Sequence, residues 1–134
     1  LACFAYSAFE GKATVWAGAD ILVPVPLHKK RRRKRGFNQA EVLAREFSRL
    51  IGIPVEAGSL RRIVSVPPQT TLRREARRAN VRDAFEIRRP GRVEGKVIVL
   101  VDDVFTTGST IGECARMLRK AGAAEVRAVT IAQA

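Results

Sequence analysis

Cysteine and histidine are scarce: the 134 residues hold 2 of the first and 1 of the second. Cys3 and Cys114 lie far apart, with no Cys-x-x-Cys pair and no Cys/His cluster. That argues against a disulfide framework or a zinc site within the chain, and a reducing cytoplasm is the expected compartment. Long apolar runs are also missing. The run Val97 to Val101 is far too short to span a bilayer, and no basic head leads into an apolar segment near the start, so a membrane or secreted protein is not expected. Aromatic residues make up only 6% of the chain. None interleaves with the basic run Lys29 to Arg35, so the stacking platforms common in single-strand nucleic-acid binders are not evident. Acidic residues are outnumbered, 13 against 25 Lys and Arg, for a formal charge of +12. That excess is more than solubility asks for, and it calls for an anionic partner: nucleic acid, a polyphosphate metabolite or an anionic membrane surface.

The length suits one domain with a modest core and not two. Residues 1–20 read as a partial N-terminal segment, a cap or a strand remnant without clear period, and residues 21–134 as the core. Because it opens on Leu1 rather than Met, the chain reads as a piece of a longer one. Ile21-Leu22-Val23 is a short buried strand stopped by Pro24 and Pro26, since proline cannot donate to a ladder. The seven basic residues that follow repel one another and belong on a solvated loop. A helix is expected next, with Asn38 as its cap, Val42, Leu43, Phe47, Leu50 and Ile51 on one face, and Gly52 at its end. Phe37 and Phe47 are expected in the core. An extended piece covers Pro54 to Ile63, and after Pro67-Pro68-Gln69 a basic helix over Leu72 to Asn80 would expose Arg73, Arg74, Arg77 and Arg78. Gly91 and Gly95 bracket a turn. Lys96 to Val101 reads as a central strand, apolar on both faces as a parallel sheet requires. A helix from about Ser109 to Lys120, with Ile111, Cys114, Ala115 and Leu118 inward and Gly122 at its end, precedes a strand over Val126 to Ile131. The expected fold is α/β, with a central, mostly parallel sheet flanked by helices.

The chemistry is concentrated between Val97 and Thr110, where a buried strand ends in Asp102-Asp103 and passes through Thr106-Thr107-Gly108-Ser109-Thr110 into a helix. Backbone N–H groups at a helix start favour a phosphate dianion, Gly108 lets the backbone approach it, and the hydroxyls add donors. Adjacent carboxylates at the carboxyl end of a central strand suit the vicinal hydroxyls of a ribose. Together they describe a site for a ribose 5-phosphate. An acid pair that merely caps a Thr-rich turn is the plainer alternative.

This segment resembles the phosphoribosyl pyrophosphate (PRPP) motif of type I phosphoribosyltransferases. Val23-Pro24-Val25-Pro26-Leu27-His28, Arg35-Gly36-Phe37-Asn38-Gln39-Ala40, and the set Pro68-Gln69, Leu72, Arg78, Asn80-Val81-Arg82 and Ala84-Phe85 resemble its ComF/GntX branch, which includes competence-related proteins of DNA uptake. The resemblance covers about residues 21–131 and implies a type I phosphoribosyltransferase, Rossmann-like fold, with residues 1–20 as a possible hood remnant. It implies that Asp102 and Asp103 hold the ribose and carry catalysis, and that Thr106, Thr107, Gly108, Ser109 and Thr110 bind the 5-phosphate. Leu27, His28 and Lys29 occupy the pyrophosphate loop. It also implies Mg²⁺ carried by PRPP with few direct protein ligands, a homodimer, and transfer of ribose 5-phosphate to a nitrogenous acceptor. The competing expectation is a single-stranded DNA-binding factor that keeps the fold without turnover. The arginines of 73–78 fit a lid over pyrophosphate, a nucleic-acid surface or an exposed helix face. Cys114 is expected to pack rather than react.

Overall fold

The structure is a computed structural model that describes residues 2–4, 15–27, 33–34, 36–63, 84–105 and 108–133. Four parallel strands form its main sheet. They are β1 (Ala2–Phe4), β2 (Ile21–Pro24), β5 (Val97–Phe105) and β6 (Glu125–Gln133), in the order β1-β6-β5-β2. Two short strands, β3 (Leu60–Arg62) and β4 (Phe85–Ile87), form a separate antiparallel pair. Two long helices, α1 (Gln39–Ile51) and α2 (Ser109–Lys120), flank the main sheet, with a 3-10 turn at Pro90–Arg92.

The centre of the sheet is β5, as its run of β-branched and apolar residues requires. Ile98, Val99, Leu100 and Val101 are all 0% exposed. Alternation along the strands sends these side chains to two cores. On one face Ile98 and Leu100 meet Ile111, Cys114, Ala115 and Leu118 of α2, together with Leu60 and Phe85 of the antiparallel pair. On the other face Val99 and Val101 pack with Leu22, Val129 and the α1 residues Ala44 and Phe47. The outer edge of β2 is not bare. Leu22 donates to the Pro54 carbonyl and accepts from the Glu56 N–H, and Val55 bridges to Leu22 in parallel. Covering the edge removes a template for pairing with another chain.

Helix α1 begins and ends where its sequence signals stand. The Asn38 carboxamide oxygen accepts from the Ala40 N–H at 3.1 Å, while its Nδ2 donates to the Val25 carbonyl at 3.1 Å. One buried side chain therefore caps the helix and ties it to the end of β2. Gly52 closes it in the left-handed region at φ 77°, which a side chain rarely adopts. Replacing Asn38 with Ala removes both bonds and is expected to cost about 1–2 kcal/mol in urea unfolding, with unchanged m. A loss within experimental error would contradict the double role.

The buried face of α1 is the expected one in part: Phe47 is buried, and Leu43 and Ile51 pack against the same core. Ala40, Ala44 and Phe47 face the sheet, whereas Val42 is 51% and Leu50 56% exposed. Alanines let the helix approach the sheet closely, and the space beside them is filled by Phe47, whose ring lies 5.2 Å from that of Trp16. Phe37, expected in the core, is 48% exposed just ahead of the Asn38 cap. Two other expectations fall short of what forms. Residues 1–20 supply a true strand, β1, paired in parallel with β6. The β4 strand and its pairing with β3 add an element that the sequence pattern does not announce. The basic segment Leu72 to Asn80, with Arg73, Arg74, Arg77 and Arg78, and Pro67-Pro68-Gln69 lie outside the described residues.

Candidate PRPP site

The acid pair stands inside β5 and not at its end. Pairing with β6 continues through Asp102↔Thr130, Val104↔Ala132 and Phe105↔Gln133, so the strand runs four residues beyond the expected Val101. Val104 and Phe105 favour strand geometry, and β6 offers them a partner of matching length. Consecutive residues of a strand point to opposite faces. Asp102 therefore shares the face of Ile98 and Leu100, toward α2 and the antiparallel pair, and the Asp103 side chain reaches it. The Asp103 N–H donates to the Asp102 carboxylate at 2.9 Å.

Burial is the main force on Asp102. It pushes the carboxyl from its usual 3.8 up to about 7, the Asp103 side chain and charge push the same way, and the Asp103 N–H bond and, less, the Arg62 guanidinium oppose them. A carboxylate this costly to ionise is suited to hydrogen-bond donors and positive charge supplied by a ligand. Cys114, directly on the α2 face, is 0% exposed, and burial with the nearby Asp102 charge drives its thiol far up. It is a packing residue in its neutral form, as expected.

Helix α2 starts immediately after Gly108, which sits at φ 78°, and the Gly112 N–H donates to the Gly108 carbonyl at 2.8 Å. Gly108 brings no capping side chain and the first turn carries no acidic residue. Such a helix start, among the described residues, suits an external anion. Ser109 and Thr110 are half-buried there. Thr106 and Thr107 lie outside the described residues.

A cleft of about 210 Å³ opens between the end of β2 and the antiparallel pair, lined by Pro26, Leu27, Leu60, Arg61, Arg62 and Arg88 among others. Leu27 is the one described member of the expected pyrophosphate set to line it; His28 and Lys29 fall outside the described residues. Further along the basic run, Arg33 and Lys34 are exposed but helical, in place of the expected solvated loop. Of the cleft's arginines, Arg61 is ion-paired with Glu86 across the strand pair. Arg62 lies over the Phe85 ring, 5.3 Å from its centroid. Asp102, Asp103, Gly108, Ser109 and Thr110 are not part of this lining, so the acid pair and the start of α2 lie apart from the cleft. Arg61, Arg62 and Arg88 do not stand out in the sequence. The available signal is Arg61-Arg62 on a short extended segment, with Ala84-Phe85 as its partner.

The family profile described as "Phosphoribosyl transferase domain" matches residues 32–134. Competence protein F of Haemophilus influenzae is 35% identical over 116 residues, covering 86% of this chain and 51% of that protein. The DNA utilization protein YhgH of Escherichia coli K12 is 38% identical over 108 residues, covering 81% of this chain and 47% of the relative. Competence protein ComFC of Bacillus subtilis is 31% identical over 112 residues, covering 83% and 43%. The chain thus spans about half the length of these relatives. Among solved structures, glutamine PRPP amidotransferase from B. subtilis, complexed with ADP and GMP, superposes with TM-score 0.57 at 27% identity, over 90% of this chain and 24% of that one. Purine phosphoribosyltransferase from Pyrococcus horikoshii has the same fold, with TM-score 0.56 at 18% identity, over 98% and 77%.

The parallel sheet, the acid pair within its central strand and the glycine-led helix that follows define a phosphoribosyltransferase domain, and the chain belongs to that family. Within it, the three competence and DNA-utilization relatives support the ComF resemblance of its sequence blocks.

Proposed function

We propose that this chain binds PRPP and transfers its ribose 5-phosphate to a nitrogenous acceptor, as the phosphoribosyltransferase part of a protein that serves DNA uptake or use. The observation that carries this reading is Asp102-Asp103 on the central strand, leading within six residues into the uncapped start of α2. In the proposed reaction the acceptor nitrogen forms a bond to C1 of the ribose as the bond from C1 to the pyrophosphate oxygen breaks. The electron pair leaves with pyrophosphate, and the acceptor's proton passes to solvent. Positive charge on the ring in the transition state is met by the carboxylates, and negative charge on the leaving group by the arginine-lined cleft.

Magnesium enters the proposal with the substrate. Two adjacent carboxylates, one of them costly to ionise, fit a cation that keeps its waters and phosphate oxygens better than one caged by protein; bound so, it would neutralise charge on the leaving group. Asp102 and Asp103 would orient the sugar beside it.

A second reading, single-stranded DNA binding without turnover, is favoured by the +12 charge and by the relatives' names. Calorimetry with PRPP, with and without Mg²⁺ and with an added oligonucleotide, separates the two. Mg²⁺-dependent PRPP binding that survives saturating oligonucleotide supports the transferase reading. Oligonucleotide binding with no PRPP heat at any Mg²⁺ concentration overturns it.

A further inference from the structure

The cleft beside β3 and β4 is lined by three arginines and no carboxylate, and the three are not alike. Arg61 is ion-paired with Glu86, and Arg62 lies over the Phe85 ring. Arg88 has no ion-pair partner among the described residues, whereas Arg89 and Arg92 just beyond it share one. That partner is Glu56, whose side chain is only 13% exposed. Its carboxylate stands 3.2 Å from the Arg92 guanidinium and 3.9 Å from that of Arg89, and it accepts from the Ser59 hydroxyl at 2.9 Å. The backbone is fixed as well: the Glu56 N–H donates to the Leu22 carbonyl of β2, and the Arg88 N–H to the Ser59 carbonyl, both at 2.8 Å. Arg89 passes directly over Gly58, its Nη1 3.0 Å from where a Cβ would stand. The wall of the cleft that carries Ala57 and Gly58 is thereby clamped between β2 and the 3-10 turn. Glu56 satisfies Arg89 and Arg92 and leaves Arg88 to meet an anion from outside. Arg62 and Arg88 enter from points three residues apart along the strand pair, one opposite Phe85 and the other bonded to Ser59. That spacing, about 10 Å along the backbone, suits an anion with two charged centres, such as linked phosphates, better than a single phosphate.

We propose that Arg88 is the contact residue of a diphosphate site in this cleft and that Glu56 is its positioning residue, holding the 56–59 wall and the Arg89–Arg92 turn so that Arg88 meets the ligand. The role in catalysis rests on the transferase reading, in which the cleft meets the leaving group; the binding of free diphosphate does not. An arginine suits the contact because its planar fork of N–H donors matches phosphate oxygens two at a time.

The test is calorimetric titration of inorganic pyrophosphate into the chain in metal-free buffer, with inorganic phosphate in parallel. Pyrophosphate should bind more tightly than phosphate, and Arg88→Gln should weaken it about 10-fold or more, the loss of one charge-assisted hydrogen-bonding group. Asp102→Asn/Asp103→Asn should bind pyrophosphate as the parent does, because the acid pair lies apart from the cleft. For Glu56→Gln the two roles open to a carboxylate give opposite signs. A mere negative charge near the cleft would, on removal, tighten anion binding. Removal of a positioning residue should weaken it, here roughly fivefold, and the charge-neutral Ser59→Ala, which takes one bond from Glu56, should weaken it roughly threefold. Preserved amide signals from α1 and β5 establish that each variant is folded. No binding by the parent, or unchanged affinity in Arg88→Gln, overturns the site. Unchanged or tighter binding by Glu56→Gln overturns the positioning role; should that variant not fold, unchanged binding by Ser59→Ala does so. Mg²⁺-dependent PRPP binding is then measured on the same chains. A chain that shows the pyrophosphate losses but never binds PRPP sinks the transferase reading and leaves the cleft site standing. One that binds PRPP while pyrophosphate ignores Arg88 does the reverse.

Discussion

Asp102→Asn is expected to make the ligand-free chain more stable at pH 8 and to leave it nearly unchanged at pH 4. The folded carboxyl holds its proton to about pH 7, whereas in the unfolded chain it releases it near 3.8. Between those values the folded state binds more protons than the unfolded state, so this group's contribution falls as pH rises. It is fully present below about pH 4 and lost by the time pH passes 7. A neutral, isosteric amide avoids the cost of ionising in a half-buried place and still accepts from the Asp103 N–H. The difference between variant and parent should therefore grow with pH to roughly 2–3 kcal/mol, after allowance for the carboxyl's partial exposure. Comparing the two chains at each pH cancels the titration of every other group. Urea midpoints at pH 4, 6 and 8 measure it, and a difference that stays flat contradicts the placement of Asp102.

Leu100→Ala should cost about 3–4 kcal/mol of stability, near the upper end for truncating a buried leucine. Leu100 is 0% exposed at the centre of the sheet, between α2 and the β3–β4 pair. The side chains around it belong to several elements and cannot close together on the cavity left behind. Against a total stability of about 5–15 kcal/mol for a domain of this kind, that loss brings the variant near unfolding at growth temperatures. Leu50→Ala is the matched comparison: the same substitution at a residue 56% exposed should stay within about 0.5 kcal/mol. Thermal and urea unfolding of both variants gives the answer. A large loss at Leu50 would mean that the outer face of α1 is buried in an assembly.

Much of this domain can be read from the chain because its strongest local signals agree with its tertiary contacts. The all-apolar Val97–Val101 run can only be a buried strand. Asn38 and Gly52, and Gly108 with Gly122, bound the two helices at or near their observed ends. Legibility fails where contact rather than pattern decides. On α1 the spacing of the large residues Val42 and Leu50 points inward, yet small Ala40 and Ala44 take that face, because close approach to the sheet selects for size. The three-residue strands β3 and β4 are too short to show a period, and each is held by the other across more than twenty residues of intervening chain. Arg62 escapes for the same reason. Its place over the Phe85 ring exists only once the fold pairs β3 with β4. The acid pair and Gly108, being contiguous in sequence, need no such help.

The central claim is that Asp102 and Asp103 form a PRPP site, and calorimetry of the parent chain against Asp102→Asn/Asp103→Asn tests it most directly. PRPP would be titrated into each with and without Mg²⁺, and inorganic pyrophosphate in parallel. The parent should bind PRPP in a Mg²⁺-dependent way, and the double variant should lose about 100-fold or more in affinity while remaining folded and no less stable at pH 8. Equal binding by the two chains, or no binding by a folded parent, would contradict the site.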